Sequence, residues 1–181
     1  MNHQITRTLH RLLFAGALVV LAGCVGVPEG ITPVSGFDES RYLGTWYEVA
    51  RLDHSFERGM NDVTATYALR EDGGIDVRNR GYREDEGEWD EASGRAYFVE
   101  DRQTGYLKVS FFGPFYGAYV VFGLDKEDYG HAFVAGPNRD YLWLLARTPE
   151  VDEAVMAQFL DRAGELGFDT DALIFPSHTR R

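Results

Sequence analysis

From Arg41 to Arg147 the chain is a string of short strand-like runs whose links are too short for crossover helices, and nothing else in the sequence constrains the fold as much. The runs are Gly44 to His54, Val63 to Leu69, Ile75 to Tyr82, Gly94 to Glu100, Tyr106 to Phe112, Ala118 to Leu124, Ala132 to Ala135 and Tyr141 to Arg147. Parallel neighbours need a connection of about a dozen residues or more, usually a helix, so these runs should pair antiparallel with their successors. Glu71-Asp72-Gly73-Gly74, between the second and third, is a tight hairpin turn. Eight such strands can close on themselves and remove their own edges. The expected fold is all-β: an eight-stranded antiparallel up-and-down β-barrel, wide enough inside for one small ligand.

One helix follows. Thr148 is suited to cap it, Pro149 to its first position, and Glu150, Asp152 and Glu153 to its positive end. Val151, Val155, Phe159, Ala163 and Leu166 recur at helical spacing, and Gly167 suits the exit. This stripe is expected to pack on the outside of the barrel. Leu173 to Phe175 reads as a last short strand.

The chain divides into three parts. Residues 1–23 have the layout of a secretory signal: Arg7 and Arg11, an apolar run from Leu12 to Leu21, then Ala22 and Gly23. The run is too short to span a bilayer. Residues 24–39 read as the mature N-terminus and a flexible tether rich in glycine and proline, and residues 40–181 as the folded domain. Leu21-Ala22-Gly23-Cys24 resembles the lipobox of bacterial lipoproteins, which implies that Cys24, the only cysteine, carries the lipid anchor. Val25, where no Asp stands, implies by the same resemblance the outer membrane, with the domain facing the periplasm.

Removing the leader leaves 16 basic and 29 acidic side chains, a net charge of −13. Such a surface repels nucleic acid and anionic headgroups, so membrane attachment falls to the anchor. With Cys24 acylated, no thiol remains for a disulfide or for cysteine catalysis.

Gly44-Thr45-Trp46-Tyr47 resembles the G-x-W-Y motif that opens the first strand of lipocalins, and Arg147 the family's basic partner at the end of the eighth. Arg41 to Tyr47, Lys108 to Gly117 and Asp140 to Trp143 are similar to the bacterial outer-membrane lipoprotein lipocalins. The resemblance implies a calyx for an apolar ligand, a fatty acid or lysophospholipid. Strand counting independently brings Trp46 and Arg147 together at the closed end, where a guanidinium over an indole is worth ~0.5–2 kcal/mol. Trp46 and Arg147 are therefore expected to plug the barrel, and Gly44 joins them in the structural signature that the resemblance implies.

The same counting puts Ser55 to Met60, Arg83 to Ser93, Gly113 to Gly117 and Gly136 to Arg139 at the open mouth, with an aromatic rim from Phe111 to Tyr116 and Phe56 on the opposite lip. Alternation in strand eight turns Trp143 into the lumen, and in strand five Leu107, Val109 and Phe111. Tyr97 and Val99 in strand four and Tyr119 and Val121 in strand six are further candidates. Tyr116 or Arg58 is expected near the ligand's headgroup. Trp46 shares its parity with Glu48, which would bury a carboxylate unless a bulge shifts the register. The candidate ligand contacts are thus Trp143, Tyr116, Phe111, Val109, Leu107 and Tyr97.

The sequence reads as a binding protein, not an enzyme. It has no G-x-S-x-G elbow and no H-E-x-x-H, and Asp53-His54-Ser55 are strand neighbours pointing to opposite faces. Glu84, Asp85, Glu86 and Glu88 read as a solvated acidic loop. No cofactor is expected. The alternative is a tetrapyrrole or haem carrier with His131 or Tyr119 on the iron. The aromatic rim suits a homodimer as well as a membrane surface.

Overall fold

The structure is a computed structural model that describes residues 26–180; Cys24 and the leader at 1–23 lie outside the described residues. A single turn of helix, α1 (Glu39–Tyr42), precedes eight strands: β1 (Gly44–Leu52), β2 (Met60–Leu69), β3 (Ile75–Arg83), β4 (Glu88–Phe98), β5 (Tyr106–Ser110), β6 (Gly117–Leu124), β7 (His131–Ala135) and β8 (Leu142–Ala146). Each pairs antiparallel with the next, and β1 pairs with both β2 and β8, so the meander closes. A helix, α2 (Glu153–Glu165), then a turn at Thr170–Ala172 lead to β9 (Leu173–Ile174), which adds to β1 at Arg51 and Leu52.

The barrel has two apolar layers. Inside, toward the closed end, Trp46, Tyr67, Ile75, Val77, Leu107 and Val134 are buried together. Outside, Phe159 and Ala163 of α2 are fully buried on a wall that includes Val120, Phe133 and Leu144. The stripe was legible, but the helix cap is Asp152, four residues after the expected one. Thr148 donates its hydroxyl to the Glu150 carbonyl, and Asp152 stands at the helix start, so residues 148–151 serve as the crossing from β8.

Bulges at three places bend the sheet into a tube: between Glu48 and Ala50, Asn61 and Thr64, and Val121 and Gly123. At Gly123 the Phe133 ring approaches so closely that a Cβ would lie 2.3 Å from it, which leaves glycine as the residue that fits.

The segment read as a flexible tether is in fact packed. Ile31 and Phe37 are buried, Val34 exchanges backbone bonds with Val121 and Gly105, and Phe37 N–H bonds the Gln103 carbonyl. Composition suggested a linker, but these bonds are made by the backbone, which the residue pattern does not reveal. The segment runs down the outside of the barrel. Arg139, in the β7–β8 loop at the mouth, holds the Glu29 carbonyl at 2.7 Å, whereas Asp38 N–H bonds the Tyr129 hydroxyl at the closed end.

Candidate ligand cavity

The barrel encloses a cavity of about 250 Å³. At its closed end α1 and the start of β1 form a plug. Arg147 lies 3.8 Å above the Trp46 ring and donates to the carbonyls of Thr45, Arg41 and Leu43. The indole Nε1 donates to the Tyr42 carbonyl at 2.8 Å. Gly44 has φ +95° and passes under Arg147, where a Cβ would meet the guanidinium at 3.4 Å. Trp46 and Arg147 thus meet at the floor as the strand count expects, with the signature residue Gly44 beside them.

Above the plug three phenols, Tyr42, Tyr119 and Tyr67, face the cavity with Tyr119 between the others, its hydroxyl 2.7 and 2.8 Å from theirs. Burial pushes the Tyr42 and Tyr119 pKa well above the ordinary phenol value, and Tyr67 upward as well, so all three remain neutral. The walls above are aliphatic: Val63, Ile75, Val77, Leu107, Val109 and Leu145. Phe111, Trp143, Tyr141 and Phe56 ring the upper part. A wider groove of about 640 Å³ opens beside the mouth; Phe56, Val109 and Phe111 line both spaces.

The alternation of β5 and β8 therefore places Leu107, Val109, Phe111 and Trp143 on the cavity wall. Tyr97 and Tyr116 are corrections. In the β4–β5 register Ala96 opposes the inward Val109, while Tyr97 opposes the outward Lys108 and donates its hydroxyl to Asp72. Tyr116 lies on the same outer surface, its hydroxyl accepting from Arg95 Nε and its ring 5.2 Å from Lys108 Nζ. Bulk suggested an inward face for Tyr97, but β4 has the smaller Ala96 inside. Val99 is also exposed, whereas Tyr119 lines the cavity. Arg83 to Ser93 is not a loop: β3 and β4 run through most of it to a tight turn. Arg58 stands at the mouth paired to Asp53, both well exposed.

Sequence reasoning missed a buried polar cluster on one wall. Glu48 does face inward, and the bulge after it turns Arg51 inward too, with its Nε 3.2 Å from Glu48. Arg51 also donates to the Glu57 carbonyl at 2.6 Å. The Glu57 carboxylate receives Trp143 Nε1–H at 3.2 Å and lies 2.9 Å from His54 Nε2. His54 thus faces Glu57 and stacks on Phe56, leaving no triad with Asp53 and Ser55. Burial, reinforced by the nearby Glu57, lifts the Glu48 carboxyl well above the usual range. Burial acts on Glu57 in the same sense but is outweighed by His54 and Trp143, which hold its carboxyl below that range. The two acids of the inner wall are thus displaced in opposite directions from the usual carboxylate range. The only advance signal was the parity Glu48 shares with Trp46.

Of the two residues considered for iron, His131 stacks on Phe133 outside the cavity, and the Tyr119 hydroxyl is engaged by two other phenols. Among the described residues no group of three or more His, Cys, Asp or Glu is placed to hold a metal.

The comparison with known proteins follows this geometry. The lipocalin-like domain family matches residues 37–178, from the buried Phe37 to the tail beyond β9. The chain is a lipocalin. A protein of Vibrio cholerae named outer membrane lipoprotein Blc is 62% identical over 157 residues, which is 87% of this chain and 92% of that one. Its namesake in Escherichia coli K12 is 53% identical over 161 residues, 89% and 90% of the two chains. Insecticyanin from the tobacco hornworm Manduca sexta superposes with a TM-score of 0.68 at 18% identity, covering 86% of this lipocalin and 88% of its own chain; that likeness concerns the fold alone.

Proposed function

We propose that this lipocalin takes the acyl chain of a fatty acid or lysophospholipid into its calyx, and stores or carries it in the cell envelope. The supporting observation is the shape and chemistry of the cavity: blind at the Trp46–Arg147 plug, aliphatic along its walls apart from the Glu48–Glu57 cluster, and open at an aromatic mouth. An acyl chain of about 16 carbons gains roughly 12 kcal/mol gross from burial at ~0.8 kcal/mol per methylene. Association and ordering costs take back several kcal/mol or more, which leaves micromolar or tighter binding. The headgroup would stay at the mouth, beside Trp143 and Glu57.

The names of the Vibrio and Escherichia relatives support an outer-membrane lipoprotein. In this reading Cys24 carries the acyl groups and the domain faces the periplasm. Titration with oleate, lysophosphatidylcholine and haem, followed by tryptophan fluorescence, tests the ligand class. Saturable quenching by the acyl ligands is expected. Saturation by haem alone would replace the acyl reading with the tetrapyrrole one.

A further inference from the structure

The path of the N-terminal segment determines which end of the barrel an anchored protein presents to its membrane. Three observations fix that path. Arg139, in the mouth loop between β7 and β8, grips the Glu29 carbonyl and also the Leu166 carbonyl at the end of α2. Val27 packs on the apolar layer beneath α2. From there the segment descends past Val34 to Phe37 and Asp38 at the closed end. Its first described residues are therefore at the mouth end.

Three residue steps separate Cys24 from the packed Val27, a reach of at most about 11 Å when fully extended. The helix α2 runs from the closed end to the mouth, and its 13 residues span about 20 Å. A lipid on Cys24 thus reaches a bilayer at the mouth but is too short to let the closed end face it.

The lip nearest that exit has the matching surface. The β5–β6 loop, next to the β7–β8 loop in the barrel order, holds Phe112 and Phe115 at 81% and 63% exposure. Neither ring has an aromatic or cationic partner among the described residues. The β3–β4 turn, with Glu84, Asp85, Glu86 and Glu88 exposed, is the next lip in the barrel order, and the opposite lip, the β1–β2 loop, carries the exposed Phe56.

We infer that the lipocalin docks mouth-down on the bilayer that holds Cys24, with Phe112 and Phe115 inserted at the headgroup level, so that acyl chains pass between membrane and calyx without crossing water. The occupant of the phenylalanine lip is a phospholipid surface; the inference rests on the acylation of Cys24 proposed above.

The sequence supplies a clean test, because Cys24 is its only cysteine. In the full-length lipidated protein, Phe112→Cys and, at the closed end, Lys126→Cys each take a single environment-sensitive fluorophore, read in vesicles of zwitterionic phospholipid containing headgroup-level nitroxide quenchers. The label at 112 should be quenched at least fivefold more than the label at 126. The double change Phe112→Ser with Phe115→Ser should slow acyl transfer between vesicles at least fivefold while leaving affinity for free lysophosphatidylcholine unchanged. Equal quenching, or stronger quenching at 126, overturns the orientation while leaving the anchor standing. A dimer in which the 112 label is shielded by a second copy also overturns it. Wild-type protein that behaves like Cys24→Ser and stays off the membrane overturns the anchor and the orientation together.

Discussion

Replacing Arg147 with alanine removes the group that joins the two ends of the barrel sequence at its floor. The guanidinium sits 3.8 Å over the buried Trp46 ring, and contact of this kind at a half-buried site is worth ~1–2 kcal/mol. It also donates three bonds, of which the one to Leu43 is the more buried and those to Thr45 and Arg41 are exposed. Water can replace much of the exposed pair, so the three together add ~1–2 kcal/mol. The expected loss is about 3 kcal/mol, a fall of ~6–12 °C in Tm for a domain of this size. Urea and thermal unfolding followed by circular dichroism measure it. Arg147→Lys keeps the charge but not the planar fork that reaches three carbonyls, and should recover less than half of the loss. A loss below about 1 kcal/mol for Arg147→Ala, or full recovery with lysine, would refute a plug built on stacking and forked hydrogen bonds.

Other outcomes follow from neighbouring features. The Glu48 carboxyl is raised in the fold, so its contribution is complete below the ordinary value of 4.5 and is lost as pH rises through its folded pKa. Glu48→Gln should therefore gain stability relative to wild type as pH increases, by up to ~1.4 kcal/mol per unit over that window; a gap independent of pH in urea midpoints would exclude it. Gly123→Ala forces a methyl to within 2.3 Å of the Phe133 ring, which is backed by Phe159, and should cost ~1–3 kcal/mol in the same assay. Trp143→Phe removes an indole from the cavity wall and its bond to Glu57, and should abolish most of the ligand-dependent fluorescence change; an undiminished signal would place the responding tryptophan elsewhere.

The fold was legible because its strands are bounded by strong turn signals and their links leave no alternative to a meander. The plug was legible for a related reason: once the strands are counted, Trp46 and Arg147 must meet. Parity within a strand was legible where the expected run covered the observed strand, as in β5 and β8. It failed in β4, whose first six residues are polar or small apart from Trp89 and did not read as a strand; Tyr97 then drew the eye away from Ala96. The wall cluster was hidden by the bulge after Glu48. One extra residue there reverses the alternation and brings Arg51 inside, and the two-residue period has no means of announcing it. His54 and Glu57 join through a loop whose path is set by tertiary contacts.

The closure of the barrel also has a consequence for the order of assembly. β1 contacts β2, β8 and β9, and its pairing of Tyr47 with Ala146 spans about a hundred residues. Ribosomes make β1 before the other strands of the barrel, yet two of its three partners, β8 and β9, are the last of those strands to be made. Contacts of such long sequence separation are slow to form, because the intervening chain must be ordered first. The growing polypeptide can build hairpins from β2 to β7 but cannot seal a tube. A nascent chain of this topology stays open, and so remains threadable through a narrow pore, until its last strands arrive; the first strand made is the last to find all of its neighbours.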